Sequence, residues 1–228
     1  MAASLEAVRR RVRAAAERAG RRAGDITILA VSKTKPPSAI AEAHRLGVED
    51  FAENRVQELL EKQASPECGG LGVRWHLVGH LQTNKARQVV GRTALIHSVD
   101  RMAVALELQK WAEKLGARAD VLIQSNIARE ASKFGFFPED TAEAASEVAK
   151  LPNLRVRGLM TVAPLVEDPE ENRQVFRELF KFYIDIKDKK MDNVDMRILS
   201  MGMSNDFEVA IEEGANMVRI GTLLFGRR

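Results

Sequence analysis

Residues Ile26–Pro37 read ITILAVSKTKPP. The run from Ile26 to Ser32 is β-branched and almost wholly apolar, which suits a strand covered on both faces, the strand type of parallel sheets flanked by helices. A lysine, Lys33, stands directly at its end, and Pro36 and Pro37 follow in positions that can open a helix. Upstream, Leu5, Val8, Val12, Ala15, Ala16 and Ala19 recur at helical spacing, with Gly20 or Gly24 expected to end that segment. Downstream, Ala39–Leu46 has helical periodicity and stops at Gly47. The stretch is therefore one strand set between two helices.

That unit repeats along the chain. Strands are expected at 48–53, 75–79, 94–99, 119–127, 154–162, 196–202 and 217–221, with helices at 56–63, 84–90, 102–115, 138–151, 170–187 and 206–213. Eight strands alternating with helices, after one leading helix, predict an α/β protein built as a (β/α)8 barrel of TIM type with an extra N-terminal helix. No composition break divides the chain, so residues 1–228 are expected to form a single domain of ordinary size for such a barrel. An open, doubly wound sheet has the same periodicity and stays open at this level.

Charge narrows the function classes. Lys and Arg number 35 against 32 Asp and Glu, a net of +3, which is no nucleic-acid footprint unless the surplus clusters. The basic run Arg9, Arg10, Arg11, Arg13, Arg18, Arg21 and Arg22 lies on a helical segment with Glu6 and Glu17 and reads as a solvated helix face. Cys68 is the single cysteine, in the loop-like stretch SPECGG, so no internal disulfide can form and a reducing compartment is expected. No Cys/His cluster has metal-ligand spacing, no signal peptide is legible, and no apolar run is long enough to cross a membrane. The expectations are a cytoplasmic protein with no metal, nucleic-acid or membrane partner.

In a barrel of this kind, chemistry gathers at the C-terminal ends of the strands. Lys33 closes the first one. Partial burial there would lower its pKa and leave an amine able to condense with an aldehyde; the alternative is a lysine that extends to solvent beside Lys35. SMGMS (Ser200–Ser204) and RIGT (Arg219–Thr222) end the last two strands, where barrels often seat a phosphate, with Ser204 read as N-cap of the next helix. Plain turn chemistry is the other reading. Arg219, inside an apolar strand, must enter a polar pocket or pair with an acid such as Glu53. His76 and His97 lie within strands and His44 on a helix, all read as structural, whereas His80, at a strand end, is a candidate for lining the site.

Seven blocks then fall in order: AVSKTKP (Ala30–Pro36), AENRVQE (Ala52–Glu58), WHLVGHLQTNK (Trp75–Lys85), SKFG (Ser132–Gly135), RGLMT (Arg157–Thr161), LSMGMSNDF (Leu199–Phe207) and VRIGTLLFG (Val218–Gly226). Together they closely resemble the pyridoxal phosphate homeostasis proteins over nearly the whole chain. The resemblance implies a modified barrel like the N-terminal domain of alanine racemase, a fold-type III-like pyridoxal phosphate fold. It implies pyridoxal 5'-phosphate as cofactor, carried as a Schiff base on Lys33, with Asn54 near the ring and Arg219 facing the pyridine nitrogen. Ser204, Gly221 and Thr222 would hold the phosphate, with the backbone around Met203. An arginine at the pyridine nitrogen keeps that nitrogen unprotonated and makes the ring a weaker electron sink. Ala52, Arg55 and Asn205 depart from the residues common in the family at those places; none is an expected cofactor contact.

Three functions are weighed. The resemblance implies a non-enzymatic carrier that buffers the cofactor and delivers it to pyridoxal phosphate-dependent apo-enzymes. A two-base racemase needs a second base, and the only tyrosine, Tyr183, lies mid-helix where packing explains it. The alternative is a one-base enzyme acting slowly on amino acids, with Lys33 as base; a cofactor-free sugar-phosphate barrel is the third. A monomer is expected.

Overall fold

The computed structural model describes residues 1–226. Eight parallel strands close into a barrel in sequence order: β1 (Thr27–Val31), β2 (Asp50–Glu53), β3 (Arg74–Leu77), β4 (Leu95–Val99), β5 (Ala119–Gln124), β6 (Leu154–Met160), β7 (Val194–Met203) and β8 (Met217–Ile220). β1 pairs with β8 from Thr27↔Met217 to Ala30↔Ile220, which removes both sheet edges and excludes the open-sheet alternative. The helices are α1 (Ala2–Arg18), α2 (Pro37–Arg45), α3 (Val56–Ala64), α4 (Ala86–Val89), α5 (Met102–Lys114), α6 (Pro138–Ala149), α7 (Arg173–Asp188), α8 (Phe207–Glu212) and α9 (Thr222–Phe225). The helix expected over 84–90 is a 3-10 turn, Thr83–Lys85, running into the single turn of α4, and the 3-10 turn Pro169–Asn172 precedes α7. The short α9 was not expected.

Alternation along each strand divides the core in two. Leu29, Ala52, Leu95, Leu122, Met160 and Met217 fill the barrel interior, and their neighbours Ala30, Phe51, Ile96, Val121, Leu159 and Val218 pack outward against the helices. This is why the strands read as continuous apolar runs. At this level β3 and β7 turn polar side chains inward: His76 is in register with Ala52, and Ser200 with Met217. His97 and Arg219 join them, all four buried.

The basic run of the leading segment is a solvated face only in part: Arg10, Arg13, Arg18 and Arg22 are exposed, and several of the arginines find distant partners. Arg9 donates to Leu46 O, Arg11 pairs with Glu208, Arg18 pairs with Glu212, and Arg21 donates to Ile211 O and Ala215 O. Carbonyls at the ends of α2 and α8, together with two glutamates of α8, use these cations to fix the leading helix onto the barrel. Leu5, Val8, Val12, Ala15 and Ala16 supply its buried stripe. Cys68, though on a loop, is buried, and that burial pushes its thiol up. No helix among the described residues is long and apolar enough to cross a membrane.

Candidate functional site

The C-terminal mouth of the barrel begins one residue beyond Val31, where the chain leaves β1 and turns sharply. Lys35 N donates to Ser32 O at 3.0 Å, and Thr34 takes a left-handed conformation, φ 66°. The turn carries Lys33 out into solvent, so the expected partial burial is absent; the side chain is exposed and makes no hydrogen bond or ion pair among the described residues. Its neighbours in sequence are tightly held. Ser32 Oγ donates to Glu53 Oε1 at 2.7 Å, Ser32 O accepts from Lys62 Nζ at 2.7 Å, and Thr34 N donates to Glu58 Oε1 at 2.5 Å. Lys62 Nζ also reaches Glu53 Oε1 at 2.6 Å and Glu58 Oε1 at 2.7 Å. A buried Lys62–Glu53–Glu58 cluster on α3 and β2 thus clamps the backbone on either side of Lys33. Burial holds the Glu53 carboxyl above its ordinary range, against the opposing effect of Lys62 and Ser32, and its second oxygen, Oε2, is buried without a partner.

Lys62 was missed in the sequence. The signal was there: Val56, Leu59 and Lys62 follow one another at three-residue spacing, which sets a lysine on the buried stripe of α3. A lysine in that place must be paired.

Asn54 follows β2 directly, half-buried, with Gly79 packed upon it. A Cβ on Gly79 would stand 2.1 Å from Asn54 O, so only glycine lets the loop after β3 approach this closely. At the far side of β1, Ser204 Oγ accepts from Gly221 N at 3.2 Å, tying the end of β7 to the end of β8. This corrects the N-cap reading of Ser204. The cap of α8 is Asp206, whose Oδ1 instead accepts from Met203 N at 2.7 Å while Asp206 N donates to Met203 O at 3.1 Å. Met203–Asp206 is therefore a closed turn that turns Ser204 toward β8. Gly202, at φ 85°, starts it; a Cβ there would lie 2.5 Å from Ala210 Cβ. Thr222 is exposed and opens α9, where the first amides have no intrahelical acceptor.

Arg219 is 5% exposed and lies within the barrel. It pairs with no carboxylate; Glu53, the acid suggested by the sequence, is outside the barrel wall with Lys62. Nη1 donates to Ser200 O at 2.9 Å and Ser200 Oγ at 3.0 Å, and Nη2 donates to Thr161 O at 2.7 Å. Burial lowers its pKa to about 10, which leaves the guanidinium charged at neutral pH. Among the described residues Nε–H has no acceptor, so the fork keeps a donor for a ligand atom.

His80 belongs to a different part of the mouth. Its Nδ1 meets Asp100 Oδ2 at 2.5 Å, its ring stacks on Phe134 at 3.8 Å between centroids, and Arg101 bridges Asp100 and Leu81 O. These partners come from the loops after β3, β4 and β5, whereas Lys33, Asn54, Ser204, Arg219, Gly221 and Thr222 gather at the ends of β7, β8, β1 and β2. His76 and His97 are buried and bonded, and His44 Nδ1 meets Val48 O at 3.0 Å, as structural histidines should.

Comparison with known proteins decides the family. The family model for the alanine racemase N-terminal domain matches residues 3–228. The pyridoxal phosphate homeostasis protein of Aquifex aeolicus is 46% identical over 98% of this chain and 96% of its own length. The protein of the same name from Escherichia coli K12 is 42% identical over 100% of this chain and 97% of its own. The chain belongs to the pyridoxal phosphate homeostasis protein family. Among solved structures, PipY of Synechococcus elongatus, described with PLP bound, is 37% identical, with a TM-score of 0.80 over 89% of this chain and 93% of that one. Alanine racemase of Clostridium difficile, 21% identical with a TM-score of 0.69, shares the fold over 90% of this chain and 52% of its own length.

Proposed function

We propose that this chain binds pyridoxal 5'-phosphate at the C-terminal mouth of the barrel and serves as a carrier of the cofactor within one barrel domain. The observation that carries the reading is Lys33: an unpartnered, exposed amine set between two residues whose backbone is clamped by a buried ion cluster. Lys33 supplies the amine for the aldehyde. Across β1 from it, Arg219 Nε–H offers a neutral acceptor such as the pyridine nitrogen a charged donor. Asn54 lies beside the ring. Ser204, Thr222 and the Gly221 amide, which Ser204 Oγ holds at the joint of the last two strand ends, form the phosphate end, and the Met203 amide next to them is taken by Asp206 Oδ1. Bound there, the cofactor would supply an electron sink, which an Arg219 charged at neutral pH leaves weak.

Two further observations favour carrier over catalyst. The only tyrosine, Tyr183, donates its hydroxyl to Met196 O at 2.7 Å and is buried, so it is committed to packing and not available as a second base. The family's name also describes homeostasis rather than a reaction. Delivery to pyridoxal phosphate-dependent apo-enzymes, a monomeric state and a cytoplasmic location belong to the same proposal.

The test is an absorbance spectrum with added pyridoxal phosphate, followed by borohydride fixation and peptide mapping. The wild type should show a visible band and a fixed adduct on the Lys33 peptide, both lost in Lys33→Ala. A colourless wild type would overturn the cofactor reading. Racemisation or transamination of an amino acid at ordinary enzymatic rates would overturn the carrier reading and favour the one-base enzyme.

A further inference from the structure

A line of polar side chains crosses the apolar barrel interior from its N-terminal end to Arg219. Arg74 pairs with Asp50 through Nε–Oδ1 at 2.8 Å and Nη2–Oδ2 at 2.6 Å. Asp50 Oδ1 lies 3.0 Å from His76 Nε2, His76 Nδ1 lies 2.9 Å from His97 Nε2, and His97 Nδ1 lies 3.1 Å from Ser200 Oγ. Ser200 Oγ completes the line at 3.0 Å from Arg219 Nη1. We propose that Asp50, His76, His97 and Ser200 are positioning residues: a hydrogen-bond relay of one fixed direction that orients Arg219 toward the cofactor ring.

The direction follows from both ends. A guanidinium only donates, so Ser200 Oγ accepts from Arg219 and has one proton left, which goes to His97 Nδ1. His97 is completely buried next to Arg219 and His76, and burial first, then those two neighbours, hold it well below the ordinary imidazole range. It is therefore neutral, its single proton sits on Nε2, and it donates to His76 Nδ1. His76 then donates from Nε2 to Asp50. At the other end, burial raises the Asp50 carboxyl, but bonds from Arg74 and His76 outweigh it and bring it down to about 2. An ionised carboxylate only accepts, so His76 must carry its proton on Nε2, the same answer. Each proton of the line is used once, and Asp50 Oδ1 accepts two of them, from Arg74 and His76. The reverse wiring would set a bare His76 nitrogen against the carboxylate and take from the Ser200 hydroxyl proton its acceptor, His97 Nδ1.

The arrangement does something a direct ion pair could not. A carboxylate touching Arg219 would use up its fork and neutralise it. Here the carboxylate is kept at the far end of the barrel, and two imidazoles and a hydroxyl transmit an oriented pull on Nη1 only. Nη2 is fixed by Thr161 O, and Nε is left free.

The inference rests on the cofactor reading for its purpose, and its first test is independent of that reading. Long-range proton–nitrogen correlation spectra of the ligand-free wild type at neutral pH should show His76 and His97 both neutral with the proton on Nε2. The chain has 4 histidines, so His44→Gln and His80→Gln remove the two signals from outside the line. A proton on Nδ1, or an imidazolium, at either relay residue overturns the proposal. The second test uses the loaded protein. Ser200→Ala leaves Arg219 both carbonyl acceptors but cuts the line; pyridoxal phosphate should bind about tenfold more weakly with a displaced absorbance band. Ser200→Thr, which restores the hydroxyl, should restore the band. An unmoved band in Ser200→Ala overturns the relay. A wild type that binds no cofactor overturns the functional reading instead and leaves the first test to stand.

Discussion

Asp50 and Glu53 sit on the same short strand and face opposite sides of the barrel wall. Each is a buried carboxylate tied to a basic group, and the ties differ in kind. Glu53 is in contact with Lys62 outside the wall, one of its oxygens holding two donors while the other has none. Asp50, inside, has both oxygens bonded, to Arg74 and His76, and its remaining influence runs through the imidazoles to a second cation. The outer assembly fixes backbone; the inner one fixes a side chain that still has donors to give. Burying a charge is costly in both. Contact neutralises the pair and makes a clamp, whereas separation preserves charge for a ligand.

The largest effect should come from breaking the outer pair. Lys62→Met leaves Glu53 uncompensated under α3, and equilibrium urea unfolding should show a loss of about 3 kcal/mol, with Lys33 less reactive toward aldehydes because Ser32 O and Glu58 lose their common partner. A loss within experimental error would mean that the clamp is held by packing alone.

Acid should separate the two carboxylates by sign. Asp50 is depressed from 3.8 to about 2. Its contribution is present above the unfolded value and lost as pH falls through the folded one, so about 2 kcal/mol should disappear between roughly pH 4 and pH 2. Glu53 is raised, so its protonated form is favoured by folding; its contribution is present below the unfolded value and is lost as pH rises through the folded one. Asp50→Asn should therefore flatten the acid limb of the stability curve, and Glu53→Gln should steepen it. Identical curves for the two variants would erase the distinction.

The smallest effect is expected from Glu53→Gln at neutral pH. The amide keeps an acceptor for Lys62 and Ser32 and places a donor where an oxygen has no partner, so denaturation should shift by less than about 1 kcal/mol. A loss as large as that of Lys62→Met would show that the ionised carboxylate, not the shape of the side chain, holds the clamp.

The barrel was legible because its pattern is local. Eight apolar runs with helical segments between them carry their period in consecutive residues, and each proved to be a strand. The places of Lys33, Asn54, Ser204, Gly221 and Thr222 were legible because strand ends are readable as places where an apolar run meets polar residues, and Arg219 stood out as a cation inside an apolar strand. What escaped was direction and partnership. Nothing near Ser204 says that its hydroxyl turns to Gly221 rather than to α8, because Asp206, two residues on, competes for the same cap. The seven arginines of the leading segment looked like one wetted surface because the carbonyls and glutamates that take three of them lie 190 to 197 residues away. His80 stood at a strand end like the others, yet its partners draw it to the opposite rim. His76 and His97 read as isolated structural residues, since a line through the barrel is made of one residue per strand and has no period along the chain.

The pairing of β1 with β8 sets a condition on synthesis. Thr27 to Ala30 wait unpaired on one side until Met217 to Ile220 have left the ribosome. Until then seven strands are an open sheet with two bare edges, and such edges recruit other strands. A nascent chain stalled or cleaved before Met217 therefore loses far more than a short C-terminal tail: it loses the element that makes the sheet finite, and aggregation of that fragment, rather than partial function, is its expected fate.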